Sequence, residues 1–342
     1  MQHTMTGHPS RNIRLSINLL TYNSSHDLER FFNSLKNQSF KNYNVIVIDN
    51  ASNDNSVELS RNCCPGAKII RNKYNLGYAG GHNVGLSLTD TEYVLVANPD
   101  VTLTETFLER LVVSLDEDER LASVGGKLLG MTENLNKHKH CGIIDTTGII
   151  VYRNRRFVDR GQGEDDMGQY ENDSNVFGLS GALVMYRMKA LREVCLPGGH
   201  FFDKRYFMYR EDIDLAWRLQ HYGWRARYIH TALGWHRRTA ADPNKSGNVS
   251  TARHRFKKSQ LVNYWSYRNH LYTLLKNERL SDFWRDGIGI VWYELKKLTF
   301  IIIFEPGSLR AWKEIWQQRH TLKQDRKSIQ SQGRCHMYEW RV

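Results

Sequence analysis

Cysteine is scarce and unpatterned in this chain. Its five residues (Cys63, Cys64, Cys141, Cys195 and Cys335) are odd in number and contain no CxxC pair. That excludes a disulfide framework and a cysteine-built zinc site, and it fits a reducing compartment. Long apolar runs are missing too. Met1 to Ile13 has no apolar core of a signal peptide, and the longest apolar run, Leu298 to Phe304, falls far short of the roughly 20 residues a membrane-spanning helix needs. There is no internal repeat, low-complexity tract or GxGxxG dinucleotide loop. What is present is an ordinary globular composition, 40% hydrophobic and 25% charged over 342 residues. That length suits one α/β domain of about 250 residues plus an appendage.

Acidic residues are outnumbered, and unevenly so. From Thr251 to Val342 there are 18 Lys/Arg against 8 Asp/Glu, a surplus of 10 out of the net +12, with six of the nine Trp. A basic, Trp-rich segment suits an anionic membrane surface, where each basic side chain is worth about 1 kcal/mol and Trp settles at the headgroups. Nucleic acid would attract the same charge. A solvated basic face over buried Trp is the plain structural alternative.

Strand and helix patterns alternate through the first third. Leu15 to Leu20 reads as a strand, and Leu28, Phe31, Phe32 and Leu35 mark one face of a helix. Val45 to Ile48, Lys68 to Arg71 and Tyr93 to Ala97 read as further strands, with Gly77 to Leu88 as a Gly-rich turn entering a helix. Such alternation implies parallel βαβ units, which bind ligands at the carboxyl ends of their strands. Polar residues stand at those ends: Thr21-Tyr22-Asn23, Asp49-Asn50 and Asn98-Pro99-Asp100. Further on, Phe177 to Tyr186 reads as one apolar strand whose small residues, among them Gly181 and Ala182, would let a ligand approach the backbone. Asp212 to Leu219 reads as a helix, with Asp214 as a structural partner for Arg218. Phe283 to Phe304 reads either as a helix lying on a membrane, not through it, or as a helix packed on the core.

Several stretches stand in an order that resembles the family 2 glycosyltransferases, within them the bacterial rhamnosyltransferase-like group. They are Leu20-Thr21-Tyr22-Asn23, Val47-Ile48-Asp49-Asn50-Ala51-Ser52, Asn75-Leu76-Gly77-Tyr78-Ala79-Gly80-Gly81-His82-Asn83, Asn98-Pro99-Asp100 and Phe207-Met208-Tyr209-Arg210-Glu211-Asp212-Ile213-Asp214-Leu215. Gly234-Trp235-His236 follows, with His236 placed 24 residues after Asp212. Each motif alone is weak; six in order are not. A Tyr/Arg-Asn stretch, Leu261 to His270, resembles a helix common after the catalytic domain of this group.

The resemblance implies an α/β chain of the GT-A fold, a Rossmann-like nucleotide half joined to an acceptor half in one mixed sheet. The expected division is a catalytic domain over 1–250, with a nucleotide-sugar half near 13–115 and an acceptor half near 116–250, then a basic, Trp-rich helical segment over 251–342. Thr21, Tyr22, Asn23, Asp49 and Asn50 would hold base and ribose, and Asn75, Gly77, Asn83, Asn98 and Asp100 the ribose and diphosphate. A departing diphosphate calls for a divalent cation, Mg²⁺ or Mn²⁺, and the resemblance assigns Asp100 and His236 to it. Asp212 would be the general base for the acceptor hydroxyl, with Glu211, Gly181 and Ala182 near the acceptor. Many family members carry Asp-x-Asp where this chain has Asn98-Pro99-Asp100, so metal affinity is expected to lean on the bound donor.

The expected activity is inverting transfer of a sugar from a nucleotide-diphosphate donor, L-rhamnose from dTDP-rhamnose in first place, to a hydroxyl of a cell-surface glycan or lipid-linked saccharide. A retaining enzyme would need a second carboxylate as nucleophile, for which the sequence offers no clear candidate. A UDP-sugar donor (galactofuranose or N-acetylglucosamine) is the same-fold alternative, and a non-catalytic nucleic-acid-binding protein the rival from another class. The strand-end carboxylates argue against that rival, so nucleic acid is not expected as a partner. The expected location is cytoplasmic, on the inner face of the cell membrane, with a homo-oligomer left open.

Overall fold

The structure, a computed structural model, describes residues 13–131, 140–237 and 259–331. The boundary expected near residue 250, most of Met1 to Ile13, Cys335 and Trp340 lie outside the described residues.

The described chain opens with β1 (Leu15–Thr21), α1 (Ser25–Lys36), β2 (Tyr43–Asp49), α2 (Ser56–Cys63), β3 (Lys68–Arg71), α3 (Gly77–Ser87), β4 (Tyr93–Ala97), β5 (Val101–Leu103) and α4 (Phe107–Glu117). Next come β6 (Leu121–Met131), β7 (His140–Thr146), β8 (Ile149–Val151), β9 (Phe157–Asp159), β10 (Ser174–Val176), β11 (Leu183–Arg187), α5 (Met188–Glu193), α6 (Glu211–His221) and β12 (Arg225–His236). Three helices close the described chain: α7 (Gln260–Asn277), α8 (Leu280–Phe304) and α9 (Arg310–Gln330).

Ten of these strands form one mixed sheet, ordered β10-β12-β6-β11-β4-β1-β2-β3, with β5 on β12 and β7 on β6. β1 pairs in parallel with both β2 and β4, while β11 runs antiparallel to β4. All seven residues of β1 are buried because both faces are covered. Leu15, Ile17 and Leu19 face Leu28, Phe31, Phe32 and Leu35 of α1 and the apolar side of α4. On the opposite face Leu20, with Ile46 and Ile48, packs against Tyr78 and Val84 of α3. Val94 and Val96 share a second core with Leu191 of α5 and Leu215 and Leu219 of α6. Since β1 sits between β2 and β4, the chain leaves it in two directions, and a crevice opens at the carboxyl ends of these strands.

The stretch Phe177 to Tyr186 is not the single strand expected from its apolar character. Only Leu183–Arg187 forms a strand, β11, while Gly178 makes an isolated bridge to Ile149. The residues before it run as a loop whose backbone lies against α6 and α3. A Cβ on Gly178 would stand 2.5 Å from Ala216 Cβ, and one on Gly181 would stand 2.6 Å from the Tyr78 hydroxyl. The small residues serve close packing of backbone on helix, a use that apolar periodicity cannot distinguish from strand pairing.

The C-terminal helices have contrasting environments. α7 packs on α6 and α9 and buries Tyr264, Tyr267, Tyr272, Asn269 and Lys276. Lys276 is wholly enclosed between Asp203 (2.7 Å) and Asp214 (2.8 Å), and Asp214 also takes Arg218, as expected from sequence, at 3.1 Å. Buried charges tolerate such depth when paired this closely. α8 turns Asp282, Asp286, Ile290 and Ile301 inward and leaves an apolar stripe outside.

Candidate active site

The donor side is assembled from three strand ends. Asp49, the last residue of β2, is fully buried, and its carboxylate accepts the Ser52 N–H at 3.2 Å and lies 3.4 Å from Arg71 Nε and from the Thr21 hydroxyl. Tyr22 next to it is exposed. Asn23 accepts the Asn53 N–H at 2.9 Å and donates its own N–H to Ser52 Oγ, pinning the loop after β1 to the loop after β2. Asn50 donates to Asn75 Oδ1 (3.2 Å) and the Gly77 carbonyl (2.9 Å) and accepts from Asn72. Asn83 bonds Phe202 in both directions, at 2.7 and 2.9 Å. The amides of Asn50 and Asn83 are thus engaged in holding the crevice walls. Asn75 Oδ1 accepts the Gly77 N–H at 2.8 Å, fixing the turn into α3. Gly77 has φ +70°, and a Cβ there would fall on the Phe207 carbonyl oxygen.

Opposite this wall stands the N-terminus of α6. The turn into it carries non-glycine residues with left-handed backbone at Phe207 (φ 61°), Tyr209 (φ 71°) and Arg210 (φ 70°). Such residues each cost of order 1 kcal/mol or more and persist only where surroundings enforce them. Asp212 follows, partly buried, and accepts the Gly181 N–H at 3.1 Å and the Ile213 N–H at 2.8 Å. Burial raises its carboxyl above the ordinary range, and the two N–H donors oppose the shift. Tyr78 donates its hydroxyl to the Gly181 carbonyl at 2.5 Å, so the residue whose N–H holds Asp212 is itself anchored through its carbonyl. Glu211 is more deeply buried, and one of its oxygens has no hydrogen-bond partner among the described residues. Burial first, and the charge of Asp212 next, push its carboxyl well above the usual value. Ala182 starts the turn back toward the sheet, its carbonyl accepting the Asn98 N–H at 2.9 Å.

A third group lies where β5 pairs β12, in a register that sets His236 opposite Val101. His236 Nε2 is 3.4 Å from Asp100 Oδ2, and its Nδ1 is 2.8 Å from Asp145 Oδ2. Burial pushes the imidazole down, but bonds to Asp100 and then Asp145 outweigh it and hold the ring at about 9, so a cation bound at Nε2 would have to displace the proton shared with Asp100. The other oxygen of Asp100 is buried without a hydrogen-bond partner among the described residues. An unpartnered carboxylate oxygen beside an imidazole backed by a carboxylate fits a divalent cation, because a carboxylate behind Nδ1 orients Nε2 toward a metal. Among the described residues no three His, Cys, Asp or Glu side chains form a ready metal cage, so Asp100 and His236 would supply part of a coordination shell. Asp145 was missed in the sequence because it lies 91 residues from His236, at the end of a strand without a motif.

Known proteins fit this geometry. The sequence profile of "Glycosyl transferase family 2" matches residues 16–195, more than half of the chain. An N-acetylglucosaminyl-diphospho-decaprenol L-rhamnosyltransferase of Mycobacterium tuberculosis is 27% identical over 250 residues, which cover 67% of this chain and 78% of the relative. The crystal structure of S. aureus TarS 1-349 in complex with UDP-GlcNAc superposes with a TM-score of 0.50 at 16% identity, over 94% of this chain and 82% of the other. That of GalNAc-T7 with UDP, GalNAc and Mn2+ gives 0.53 at 12% identity, over 86% of this chain and 58% of the other. These structural likenesses bear on the fold, which is GT-A. The protein is a glycosyltransferase that uses nucleotide-sugar donors, and by the match that spans its nucleotide half the chain belongs to glycosyl transferase family 2.

Proposed function

We propose that the protein transfers L-rhamnose from dTDP-rhamnose, with inversion, to a hydroxyl of a lipid-linked saccharide at the cytoplasmic face of the cell membrane. The observation that carries the reaction type is the placement of Asp212 at the head of α6, with its two oxygens fixed by the N–H groups of Gly181 and Ile213. A single base suits direct displacement, whereas retention calls for a second carboxylate as nucleophile. The named activity of the mycobacterial relative supports both rhamnose and the lipid-linked acceptor. The UDP-GlcNAc bound to TarS favours a second reading, a UDP-sugar donor in the same crevice.

In this mechanism Thr21, Tyr22 and Asp49 receive the base, Asp49 accepting the imide N–H common to thymine and uracil. Asn75, Gly77 and Asn98 line the ribose and diphosphate, while Asn23, Asn50 and Asn83 hold the walls that present them. Asp212 takes the proton of the acceptor hydroxyl as its oxygen forms a bond to the sugar's anomeric carbon. The bond from that carbon to the diphosphate oxygen breaks, and the nucleoside diphosphate leaves with the electron pair. A divalent cation, Mg²⁺ or Mn²⁺, held by Asp100 and His236 would supply Lewis-acid stabilisation of that charge. Gly181 N–H and the Tyr78 hydroxyl behind it keep Asp212 aimed, and Glu211 and Ala182 border the acceptor.

The membrane part of the proposal rests on α8. Leu280, Trp284, Ile288, Val291, Trp292, Leu295, Ile302 and Ile303 are all exposed and fall on the face opposite its packed side; Trp284 is 82% and Ile288 93% exposed. Arg285 and Lys296 lie along one edge of the stripe, and Trp312 and Trp316 at the start of α9 are exposed as well. An apolar stripe with a basic edge suits the plane of an anionic bilayer. No described helix is long and apolar enough to cross one. The test is a transfer assay with dTDP-rhamnose, UDP-galactofuranose and UDP-GlcNAc on a polyprenyl-diphosphate saccharide, with and without anionic vesicles. Turnover with a UDP-sugar alone would replace the rhamnose reading by the second one. Failure of the wild type to sediment with vesicles would end the membrane reading.

A further inference from the structure

The turn that delivers the base is strained, and the residue that holds it comes from outside the catalytic motifs. Asn269 of α7 is completely buried. Its Nδ2 lies 2.8 Å from the Tyr206 carbonyl, 2.9 Å from that of Met208 and 2.8 Å from that of Tyr209. These carbonyls belong to the segment whose Phe207, Tyr209 and Arg210 are left-handed. The orientation of the amide is settled by its other end, since Oδ1 accepts Arg268 Nε at 3.1 Å, while Arg268 Nη2 donates to the Arg205 carbonyl at 2.7 Å.

The same turn touches both walls of the crevice. The Phe207 carbonyl accepts the Ala79 N–H of α3 at 3.2 Å, and the Arg210 carbonyl accepts the Asp214 N–H in the first turn of α6. A buried amide donor facing three carbonyls gathers oxygens that would otherwise repel one another without solvent, where hydrogen bonds are electrostatically strong.

We propose that Asn269 is a positioning residue for glycosyl transfer. By drawing the carbonyls of Tyr206, Met208 and Tyr209 onto one amide, it enforces the left-handed turn that sets Asp212 against the donor wall. The proposal rests on the reading of Asp212 as base. It needs a donor group at this point, not merely a side chain of this size.

The test compares Asn269→Asp, Asn269→Ala and Asn269→Ser in the full chain at pH 8, the alkaline side being chosen to favour the ionised aspartate. The readouts are kcat, donor KM, affinity for dTDP or UDP and amide exchange over residues 206–212. Asp is nearly isosteric but turns an acceptor toward the three carbonyls; Ala removes the donor, and Ser keeps one. The expected order of kcat is Asn, Ser, Ala, Asp. The Asp variant should lose about 10²-fold, the scale of a 1 Å misplacement of catalytic groups, with donor KM within threefold and faster exchange confined to the turn. A residue that only fills space would rank Asp next to Asn, and that ranking, or kcat within twofold of wild type in both Asp and Ala variants, overturns the proposal. Failure of both variants to fold also overturns it, since Asn269 would then belong to the fold alone. Wild type that binds no nucleotide and transfers no sugar would instead sink the underlying functional reading, a result separable from any ranking of variants.

Discussion

Replacing Gly77 by alanine joins backbone geometry to turnover. The residue has φ +70°, where a Cβ costs roughly 1–2 kcal/mol. The methyl would also fall on the Phe207 carbonyl oxygen and stand 2.6 Å from Phe207 Cδ2. Ordinary carbon contacts begin near 3.5 Å, so the turn carrying Phe207 must retreat by close to 1 Å. That retreat strains the Ala79 N–H bond to the Phe207 carbonyl, now 3.2 Å, adding about 1 kcal/mol. The sum is about 2–3 kcal/mol, which a domain of ordinary stability survives, with a fall in Tm of roughly 3–6 °C for a chain of this size. Because the turn leads into α6, Asp212 moves with it, and kcat should drop about 10²-fold. Gly66→Ala is the control, since its Cβ would meet nothing within 4 Å. Thermal unfolding by circular dichroism and a coupled nucleoside-diphosphate release assay measure both effects. Gly77→Ala with Tm within 1 °C and kcat within twofold of wild type would refute the reasoning.

Three further outcomes are expected. Asp212→Asn should fold and bind nucleotide as wild type does while kcat falls about 10²–10⁴-fold; near-normal turnover removes Asp212 from the role of base. Asp145→Asn leaves Asp100 and His236 in place but weakens the carboxylate behind Nδ1. It should raise the Mn²⁺ concentration for half-maximal quenching of tryptophan fluorescence in the presence of dTDP about 10–100-fold, and an unchanged titration contradicts that placement. Glu211 has a folded pKa raised above its unfolded value near 4.5, so the folded state binds more protons and stability is lost as pH rises from there through the folded value. Glu211→Gln should remove this loss, its stability relative to wild type growing between about pH 5 and pH 8 in urea titrations; a constant difference would mean that Glu211 is ionised in the fold.

The sequence by itself determined the nucleotide half. Short apolar strands with helical patterns between them can bury both faces only as a covered parallel sheet, and polar residues placed just after β1, β2 and β4 had to gather at one edge. The order of motifs also disclosed the family, and the helix of α8 was legible in the sequence, but which of its apolar residues face outward was not: Ile290 and Ile301 turned out to be buried. Tertiary structure alone decided which polar residues face the crevice and which build it. Asn50 and Asn83 sit in motifs as prominent as that of Asp49, yet their amides are taken up by Asn75, Gly77 and Phe202, partners 25 to 119 residues away. Asp145 behind His236 carries no local pattern at all, and the Tyr/Arg-Asn stretch that holds Asn269 gave no sign that its amide would meet the turn at Phe207–Arg210. The Gly-rich loop before β11 read as strand because apolar content records burial, not the partner that causes it. Local periodicity reports what a segment must hide from water; which donor meets which acceptor is fixed only when distant strands and helices close on one another.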